Sequence, residues 1–336
     1  MASTLHRKGL DTVALTFGCL ALGASMQAGA QVVAQVGAPA FPTKPLRWVA
    51  PFAPGGTSDI VARAVAQRLS ATLGQQVVID NRAGAGGNIA ADIVVRAPAD
   101  GYTLLTGFPG LAINPSLYAK LTYDPLKDLA PVTLMTSAPL VLVSSPTIPV
   151  KTVSELVALA VAKPGTLNFC SAGNGTSSHL AGELFKSMAK IDIVHVPYKG
   201  SVECMADLMG GRISLMVNPL PEMLPMIKSN KLRGMAVSSL QRAPSVPDLP
   251  TVTDAGVKGY EVSTWNGVMV PAGTPAAVIA RLNTEVTGLL KGELRKQLEE
   301  QSLTVIANTP EEFGAFLRAE TTKWAAVVKA SGARIQ

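Results

Sequence analysis

The same local pattern occurs twice in this chain: a strand, a glycine turn, a Thr or Ser, and then a helix. It spans Phe52–Ile60 and again Cys170–Leu180. A third glycine-rich loop, RAGAGGNIAA at 82–91, also leads into a helical segment. Strand-like and helical segments alternate along most of the sequence. This alternation predicts an α/β protein with mixed, mostly parallel sheets.

Capping residues mark the ends of several helices. Thr152–Glu155 and Thr309–Glu312 have the Thr-x-x-Glu spacing of a capping box, which predicts a helix start at each. Gly74 follows an amphipathic segment and predicts its end, because glycine readily adopts the left-handed conformation that closes a helix.

Each glycine turn places the start of a helix next to open backbone. The first N–H groups of a helix have no intrahelical acceptor and carry partial positive charge, so they attract anions. Glycine lets an anion approach them because it has no Cβ. The hydroxyls at the two helix starts add donors: Thr57, Ser58, Thr176 and Ser177. Two such starts facing each other across a cleft would hold a carboxylate or a phosphate without a buried Lys or Arg.

A purely structural role for these turns is the alternative. In that interpretation the glycines only allow the chain to turn, and the hydroxyls only cap the helices. The recurrence of the pattern favours binding. Asp59 has two candidate roles, as a first-turn acid that favours the helix dipole or as a residue that orients the Gly55–Gly56 loop. His179 is a candidate for packing at the helix start or for a hydrogen bond to a ligand.

The sequence lacks the common nucleotide-binding and catalytic motifs. No Gly-Lys-Ser/Thr occurs, which excludes a P-loop, and Ser178 stands where a dinucleotide fingerprint beginning at Gly173 needs its third glycine. No Gly-x-Ser-x-Gly nucleophile elbow occurs. His179 and His195 have no His, Cys or carboxylate at a metal-binding spacing. We therefore expect a protein that is not an enzyme and needs no metal or cofactor.

The charge of the chain restricts its partners. A net charge of +6 fits an anionic small molecule or an anionic surface. The Lys and Arg residues are scattered, and the few aromatic residues are not interleaved with them. This pattern argues against binding of nucleic acid.

The N-terminus has the pattern of a secretory signal. A basic segment, His6–Lys8, precedes an apolar run from Val13 to Leu22 and the small residues Ala28-Gly29-Ala30. We predict that residues 1–30 are a signal peptide and that the mature protein is periplasmic.

Two cysteines, Cys170 and Cys204, follow the predicted cleavage site. In an oxidising compartment they can form one disulfide. The alternative is two buried free thiols, and the sequence leaves both open.

Several segments taken together resemble the Bug family, the extracytoplasmic solute receptors of tripartite tricarboxylate transporters. The resemblance begins with KPLRWVAPFAPGGTSDIVARAVAQRL at 44–69 and continues through SAGNGTSSHLAGELFK at 171–186 and VHVPYKG at 194–200. Further matching segments are INPSLY at 113–118, VPDLPTVTDAG at 246–256 and PAGTP at 271–275. The resemblance covers essentially the whole chain after the predicted signal peptide.

The resemblance implies a type II periplasmic binding protein fold, in which two α/β lobes joined by a two-crossover hinge enclose the ligand. The first lobe would comprise residues 41–138 and 263–336, and the second lobe residues 139–262. Family members typically bind organic acids or amino acids. We expect a monomeric carboxylate receptor that delivers its ligand to membrane transporter subunits. A ligand-sensing receptor for a signalling partner and a secreted enzyme on a related fold are the alternatives.

The same resemblance places a ligand carboxylate between the loops at 51–59 and 171–179. Asn218 stands where the family often has Asp, which argues against a ligand with a cationic α-amino group. Phe108 lies in a variable stretch, GFPGLA, and is expected to pack against the apolar body of a ligand. The predicted binding residues are Phe52, Gly55, Gly56, Thr57, Ser58, Asp59, Phe108, Ser171, Gly173, Asn174, Gly175, Thr176, Ser177, His179 and Asn218.

Overall fold

The computed structural model describes residues 41–331 and 334–335. The predicted signal peptide, residues 1–30, lies outside these ranges, so its cleavage site stays a prediction. Residues from Lys44 onward form one unit, to which the fold, the site and all contacts below belong. Within the described ranges, no helix is long and apolar enough to cross a membrane.

Strands and helices alternate through this unit, which confirms the predicted α/β class. The strands are β1 (Leu46–Ala50), β2 (Val77–Asn81), β3 (Thr103–Gly107), β4 (Leu129–Ser144), β5 (Asn168–Ser171), β6 (Val194–Pro197), β7 (Leu215–Pro219), β8 (Arg233–Val237), β9 (Ser263–Pro271) and β10 (Thr304–Val305). The helices are α1 (Thr57–Leu73), α2 (Asn88–Val95), α3 (Gly110–Leu117), α4 (Val153–Ala162), α5 (Ser177–Ala189), α6 (Ser201–Met209), α7 (Leu220–Lys228), α8 (Ala276–Lys291), α9 (Arg295–Glu299) and α10 (Pro310–Ser331).

These strands form one sheet in the order β2-β1-β3-β9-β4-β7-β5-β6, with β8 and β10 also paired to β4. The outer strands pair in parallel: β1 is parallel to both β2 and β3, and β5 is parallel to both β6 and β7. The central strands β4 and β9 are antiparallel to each other and to their neighbours. The prediction of a mostly parallel sheet therefore holds for the outer strands but not for the centre, where the strands that connect the two halves of the sheet run in opposite directions.

β4 joins the two halves of the sheet. Its residues 129–139 pair with β9, and its residues 140–144 pair with β7 and β8. The change of partner falls beside the boundary predicted at 138/139, and β9 begins at the predicted return point, Ser263. Below, the first half means β1, β2, β3 and β9 with their helices, and the second half means β5–β8 with theirs. The movement of the halves as separate lobes stays a prediction.

Local sequence signals account for the helix positions. Val61 and Leu69 lie on the buried face of α1, and Gly74 ends that helix with a φ of 64°. At the start of α10 the capping box forms in full. The Thr309 N–H donates to Glu312 Oε2 over 2.9 Å, and the Glu312 N–H donates to Thr309 Oγ1 over 3.2 Å. A cap of this kind contributes about 1 kcal/mol to stability.

The structure joins Cys170 of β5 to Cys204 of α6 in a disulfide, with a Cα–Cα distance of 6.0 Å. Both residues are fully buried in an apolar cluster of the second half that includes Val141, Met216 and Leu220. A larger apolar cluster, which contains Phe169 and Trp265, extends through both halves. The bridge therefore lies inside the second half, one residue before Ser171 of the predicted binding loop.

We expect the secreted protein to carry this disulfide. Protein unfolded without reductant should show no alkylatable thiol at Cys170 or Cys204, and its mass should be lower by two hydrogens than that of the reduced form. Replacing both residues by Ser should lower the free energy of unfolding by about 2–4 kcal/mol, because the bridge constrains the unfolded chain. Alkylation of both thiols in unreduced, unfolded protein would contradict the bridge.

Candidate functional site

The starts of α1 and α5 face one cavity between the two halves. Each helix follows a parallel strand, β1 or β5, and ligands of open α/β sheets bind outside such carboxyl ends of strands. The cavity has a volume of about 40 Å³. Eight of the predicted binding residues line it: Phe52, Gly56, Thr57, Ser58, Phe108, Thr176, Ser177 and Asn218. The structure therefore brings the two predicted loops together.

The other predicted binding residues do not line the cavity: Gly55, Asp59, Ser171, Gly173, Asn174, Gly175 and His179. They belong to the two loops or to the first turns of the helices that follow, and so they shape the segments that line the cavity. Direct contact of these residues with a ligand stays a prediction.

Asp59 holds the loop that precedes α1. Its Oδ2 accepts a hydrogen bond from the Gly55 N–H over 3.0 Å, and its Oδ1 accepts one from Asn81 Nδ2 over 2.9 Å. Arg63, one helical turn further on, pairs with the same carboxylate over 2.9 Å. Burial raises the pKa of Asp59, but the hydrogen bonds from Arg63, Asn81 and Gly55 outweigh it and hold the pKa below its usual range. Asp59 thus orients the Gly55–Gly56 loop as an ionised group.

Gly175 is needed for packing inside the α5 loop. Its φ is +82°, and a Cβ at this position would lie 2.2 Å from Oδ1 of Asn114, on α3. Gly86 meets the same loop, because a Cβ there would lie 2.0 Å from the Asn174 carbonyl oxygen. The sequence argument that Gly175 leaves room for an anion therefore needs correction: the space beside its Cα is filled by Asn114.

Two stacked histidines lie beneath the α5 loop. His179 Nδ1 accepts a hydrogen bond from the Gly175 N–H over 3.2 Å, and His195 Nε2 lies 2.7 Å from Ser171 Oγ. The two rings stack with centroids 4.2 Å apart, and the Phe169 ring also stacks with His195, at 4.8 Å. His179 thus packs at the helix start, one of the two roles considered for it, and braces the loop that carries the donors.

Burial keeps both histidines neutral. It lowers the pKa of His179 to about 4. It also lowers the pKa of His195 to about 3, with smaller contributions from His179 and Lys186. The hydrogen bond from the Gly175 N–H requires neutral imidazole, because His179 Nδ1 can accept it only while that nitrogen carries no proton.

Phe108 and Phe52 form an apolar wall of the cavity. Their rings meet edge to face with centroids 5.4 Å apart, and Phe108 is fully buried. The edge of the Phe108 ring would lie 2.5 Å from a Cβ at Gly87 and 2.4 Å from a Cβ at Gly110. The ring is therefore fixed between two glycines. Its role in packing against a ligand stays a prediction.

Glu222 crosses the cavity from the second half and binds the start of α1. Its Oε1 accepts hydrogen bonds from the Thr57 N–H over 2.6 Å and from the Thr57 hydroxyl over 2.7 Å. Its Oε2 accepts a hydrogen bond from Asn218 Nδ2 over 2.8 Å, and Asn218 Oδ1 accepts one from the Ser178 hydroxyl over 2.7 Å. A chain of hydrogen bonds thus connects the first turns of α5, α7 and α1.

Sequence reasoning missed Glu222 and several other residues of the wall. Those outside every predicted segment are Ser201, Pro219, Glu222 and Thr264. The remaining lining residues that were not singled out lie in the predicted loops at 51–59 and 171–179 or in the GFPGLA stretch of Phe108: Ala53, Pro109, Gly110, Ala172 and Ser178. Two of the residues outside the predicted segments had a signal: Ser201 follows Gly200 at the start of α6, and Glu222 is a first-turn acid of α7 directly after β7. Glu222 lies one turn beyond Asn218, so the argument from Asn218 against a ligand amine is incomplete, because an acid reaches the cavity from the next turn.

The charge of the wall is unusual for an anion site. Among the described residues that line the cavity, Glu222 carries the only ionisable side chain. Within the described part of the chain, no cluster of His, Cys, Asp or Glu has the arrangement of a metal site. An anion in this cavity would meet N–H and O–H donors and no Lys or Arg among the described lining residues.

The neutral histidine pair predicts a pH dependence of stability. A histidine with a folded pKa below its unfolded value of about 6.5 binds its proton first in the unfolded state. The contribution of the pair to the free energy of unfolding should therefore be complete above pH 6.5. The free energy of unfolding should then fall by about 1 kcal/mol or more per pH unit as the pH drops towards 4. Urea titrations at pH 7, 6 and 5 measure this slope.

Replacing both His179 and His195 by Gln is the matched control for that slope. The double variant should be less stable at pH 7 and should show a shallower change between pH 7 and pH 5. Equal slopes in the variant and the wild type would contradict the assignment of the pH dependence to this pair.

Comparison with known proteins assigns the family. The model of the TctC family, described as tripartite tricarboxylate transporter family receptor, matches residues 61–333. Protein BugT of Bordetella pertussis is 36% identical over 312 residues, which are 92% of this chain and 96% of that protein.

Two solved structures from Rhodopseudomonas palustris have the same fold. Rpa4515 with adipate has a TM-score of 0.85 and 38% identity, and the match covers 88% of this chain and 100% of that one. MatC with bound malate has a TM-score of 0.81 and 32% identity over 86% of this chain and 100% of that one. This chain therefore belongs to the TctC family of tripartite tricarboxylate transporter receptors, the Bug-type solute-binding proteins that its sequence resembles.

Proposed function

We propose that this protein captures a small carboxylate, as the anion, between the starts of α1 and α5. It acts in the periplasm as a monomer, reaches that compartment through its N-terminal segment, and delivers the ligand to the membrane subunits of a tripartite tricarboxylate-type transporter. The ligand leaves the site unmodified.

The contact between Glu222 and Thr57 is the observation that carries this proposal. It supports an anion at the α1 start, because a carboxylate oxygen of this chain receives both a backbone N–H at 2.6 Å and a hydroxyl at 2.7 Å there. Such charge-assisted bonds are short and about twice as strong as neutral ones, and a helix start favours negative charge. The first turn of α5 offers a second helix start across the same cavity, with Ser177 in its wall.

Relatives of known structure support a carboxylate ligand. The adipate of Rpa4515 and the malate of MatC are both dicarboxylates. Their folds match this chain over nearly all of its described part, so a site between the two halves is expected to serve a related ligand here.

The positions of the histidines support a role without catalysis. Hydrolysis by a hydroxyl nucleophile needs a base within hydrogen-bond reach of that hydroxyl. Among the described residues, the cavity is lined by Thr and Ser hydroxyls but by neither histidine, and His195 bonds Ser171, which does not line it, so the cavity holds no hydroxyl–histidine pair. The base that does reach a cavity hydroxyl is the Glu222 carboxylate at Thr57, and it accepts the Thr57 backbone N–H as well. A carboxylate receptor needs no such pair.

The anion requirement is tested by pairing each acid with its neutral analogue. We expect adipate or malate to bind in a calorimetric titration and adipamide or malamide to bind at least tenfold more weakly, because each charge-assisted hydrogen bond contributes about 1.5–3 kcal/mol. A thermal-shift screen over further dicarboxylates, aromatic acids and amino acids would then rank candidate ligands. Equal affinity for an acid and its diamide would overturn the proposal.

Gly56 gives a sharper test of the site than Gly175. Gly56 lacks a positive φ, and a Cβ there would lie 3.5 Å from Glu222 Oε1 and 3.6 Å from Ser201 Oγ, so the fold tolerates it. The larger side chain of Gly56→Val would extend into the space in front of the α1 start. We expect it to abolish carboxylate binding while the cooperative unfolding transition remains.

Gly288→Val is the matched control, because a Cβ at Gly288 on α8 meets nothing within 4 Å. It should bind the same ligand with wild-type affinity in the same calorimetric titration. Normal binding by Gly56→Val would show that the ligand does not approach the start of α1.

A further inference from the structure

Glu222 holds the donors with which the α1 start would grip a ligand. We propose that Glu222 is a built-in carboxylate that competes with the ligand's carboxylate for the first turn of α1, so that the ligand binds there only when Glu222 leaves Thr57. This inference rests on the proposed function, because it concerns the regulation of the same site.

The geometry of Glu222 is that of a bound anion. Oε1 takes both donors of Thr57, and Oε2 takes Asn218 Nδ2. The carboxylate also lies over the glycine that the sequence identifies as the point of approach, since a Cβ at Gly56 would be 3.5 Å from Oε1. A ligand carboxylate that used the same N–H and hydroxyl would occupy the same volume.

The second half positions Glu222 for this contact. Asn218, the penultimate residue of β7, is 1% exposed. It donates to Glu222 with its Nδ2 while its Oδ1 accepts a hydrogen bond from the Ser178 hydroxyl. The amide therefore cannot turn without losing the bond to Ser178. Glu222 is thus aimed at α1 by the first turn of α5, the other helix start of the proposed site.

Charge and space both prevent Glu222 and a ligand carboxylate from sharing the α1 start. No Lys or Arg lines the described cavity to offset a second negative charge, and two carboxylates in one site disfavour each other's ionised form. The cavity volume of about 40 Å³ has room for only a few water molecules beside Glu222. Departure of the Glu222 side chain would remove the repulsion and open space beside Thr57 in a single step.

The opposite role for Glu222 is to stay in place and accept a hydrogen bond from a ligand amine. The two roles predict opposite signs. A competitor weakens binding of a dicarboxylate, so its removal tightens binding. A partner for an amine strengthens binding, so its removal weakens binding.

The affinity test compares wild type, Glu222→Ala, Glu222→Gln and Glu261→Gln by calorimetric titration with adipate. Glu261 is an exposed acid of the second half that does not line the cavity, so its variant controls for the loss of one negative charge. We expect Glu222→Ala to bind adipate about tenfold or more tightly than wild type, since one displaced charge-assisted bond corresponds to about that factor. Glu222→Gln should show a smaller gain, and Glu261→Gln none. Equal or weaker binding by Glu222→Ala would overturn the inference.

A second measurement needs no ligand. Amide hydrogen exchange of the segment that contains Thr57 should be faster in ligand-free Glu222→Ala than in wild type and Glu261→Gln, because the Thr57 N–H loses its acceptor. Unchanged exchange would show that Glu222 does not hold this N–H in solution and would overturn the inference.

The two measurements separate failure of the inference from failure of the proposed function. If adipate, malate and the screened acids bind none of the four proteins, the carboxylate-receptor function fails, and competition fails with it, whatever the exchange rates. If wild type binds adipate but Glu222→Ala gains nothing, the receptor function stands and Glu222 is not a competitor.

Discussion

The pairing of β4 with both halves of the sheet is the constraint on which the site depends. One part of this strand is bonded to β9 and the next to β7 and β8, so the two halves share a continuous backbone ladder. The parallel strands β1 and β5 flank this centre on opposite sides. The helices that follow them, α1 and α5, therefore begin on either side of one cavity. The proposed anion site would be a consequence of this topology, because neither helix start alone encloses a ligand.

Few charged groups lie around that cavity, and among the described lining residues only Glu222 is ionisable. The loop before α1 is held by an ionised carboxylate, Asp59, and the loop before α5 by neutral histidines, and none of these groups lines the cavity. Fixed loops matter because a backbone N–H binds an anion well only when it already points at it. The N–H groups are thus oriented from behind. Apart from Glu222 and Asn218, the side chains of the wall are hydroxyls, the two phenylalanines, and alanine or proline residues.

Glu222 gives the cavity a negative charge inside a protein whose net charge is +6. The overall charge attracts anions from a distance, whereas the local carboxylate opposes their entry at short range. The bonds of Glu222 to Thr57 also tie the second half to the first, and Gly175 against Asn114 and Gly86 against Asn174 add close packing at the same interface. In this form the two halves are in direct contact, with one side chain filling the position of an anion.

The sequence by itself determined the α/β class, the helix ends at Gly74 and Thr309, the two glycine turns that lead into α1 and α5, and the family. These features are local, or are carried by short motifs, and each follows from a few neighbouring residues. The parallel outer strands were predictable for the same reason, since each is followed by a helix.

Tertiary structure alone decided which of the predicted residues face the cavity. Gly175 and Gly56 occupy equivalent places in the sequence pattern, but their surroundings in the fold differ. A Cβ at Gly175 would collide with Asn114, whereas a Cβ at Gly56 would make ordinary contact with Glu222 and Ser201. The antiparallel centre of the sheet depends on the pairing of β4 with β9, which are more than 100 residues apart along the chain. Glu222 reaches Thr57 across 165 residues, and a hydrogen bond at that separation leaves no periodic pattern in the sequence, because it exists only once the fold has brought two helix starts together.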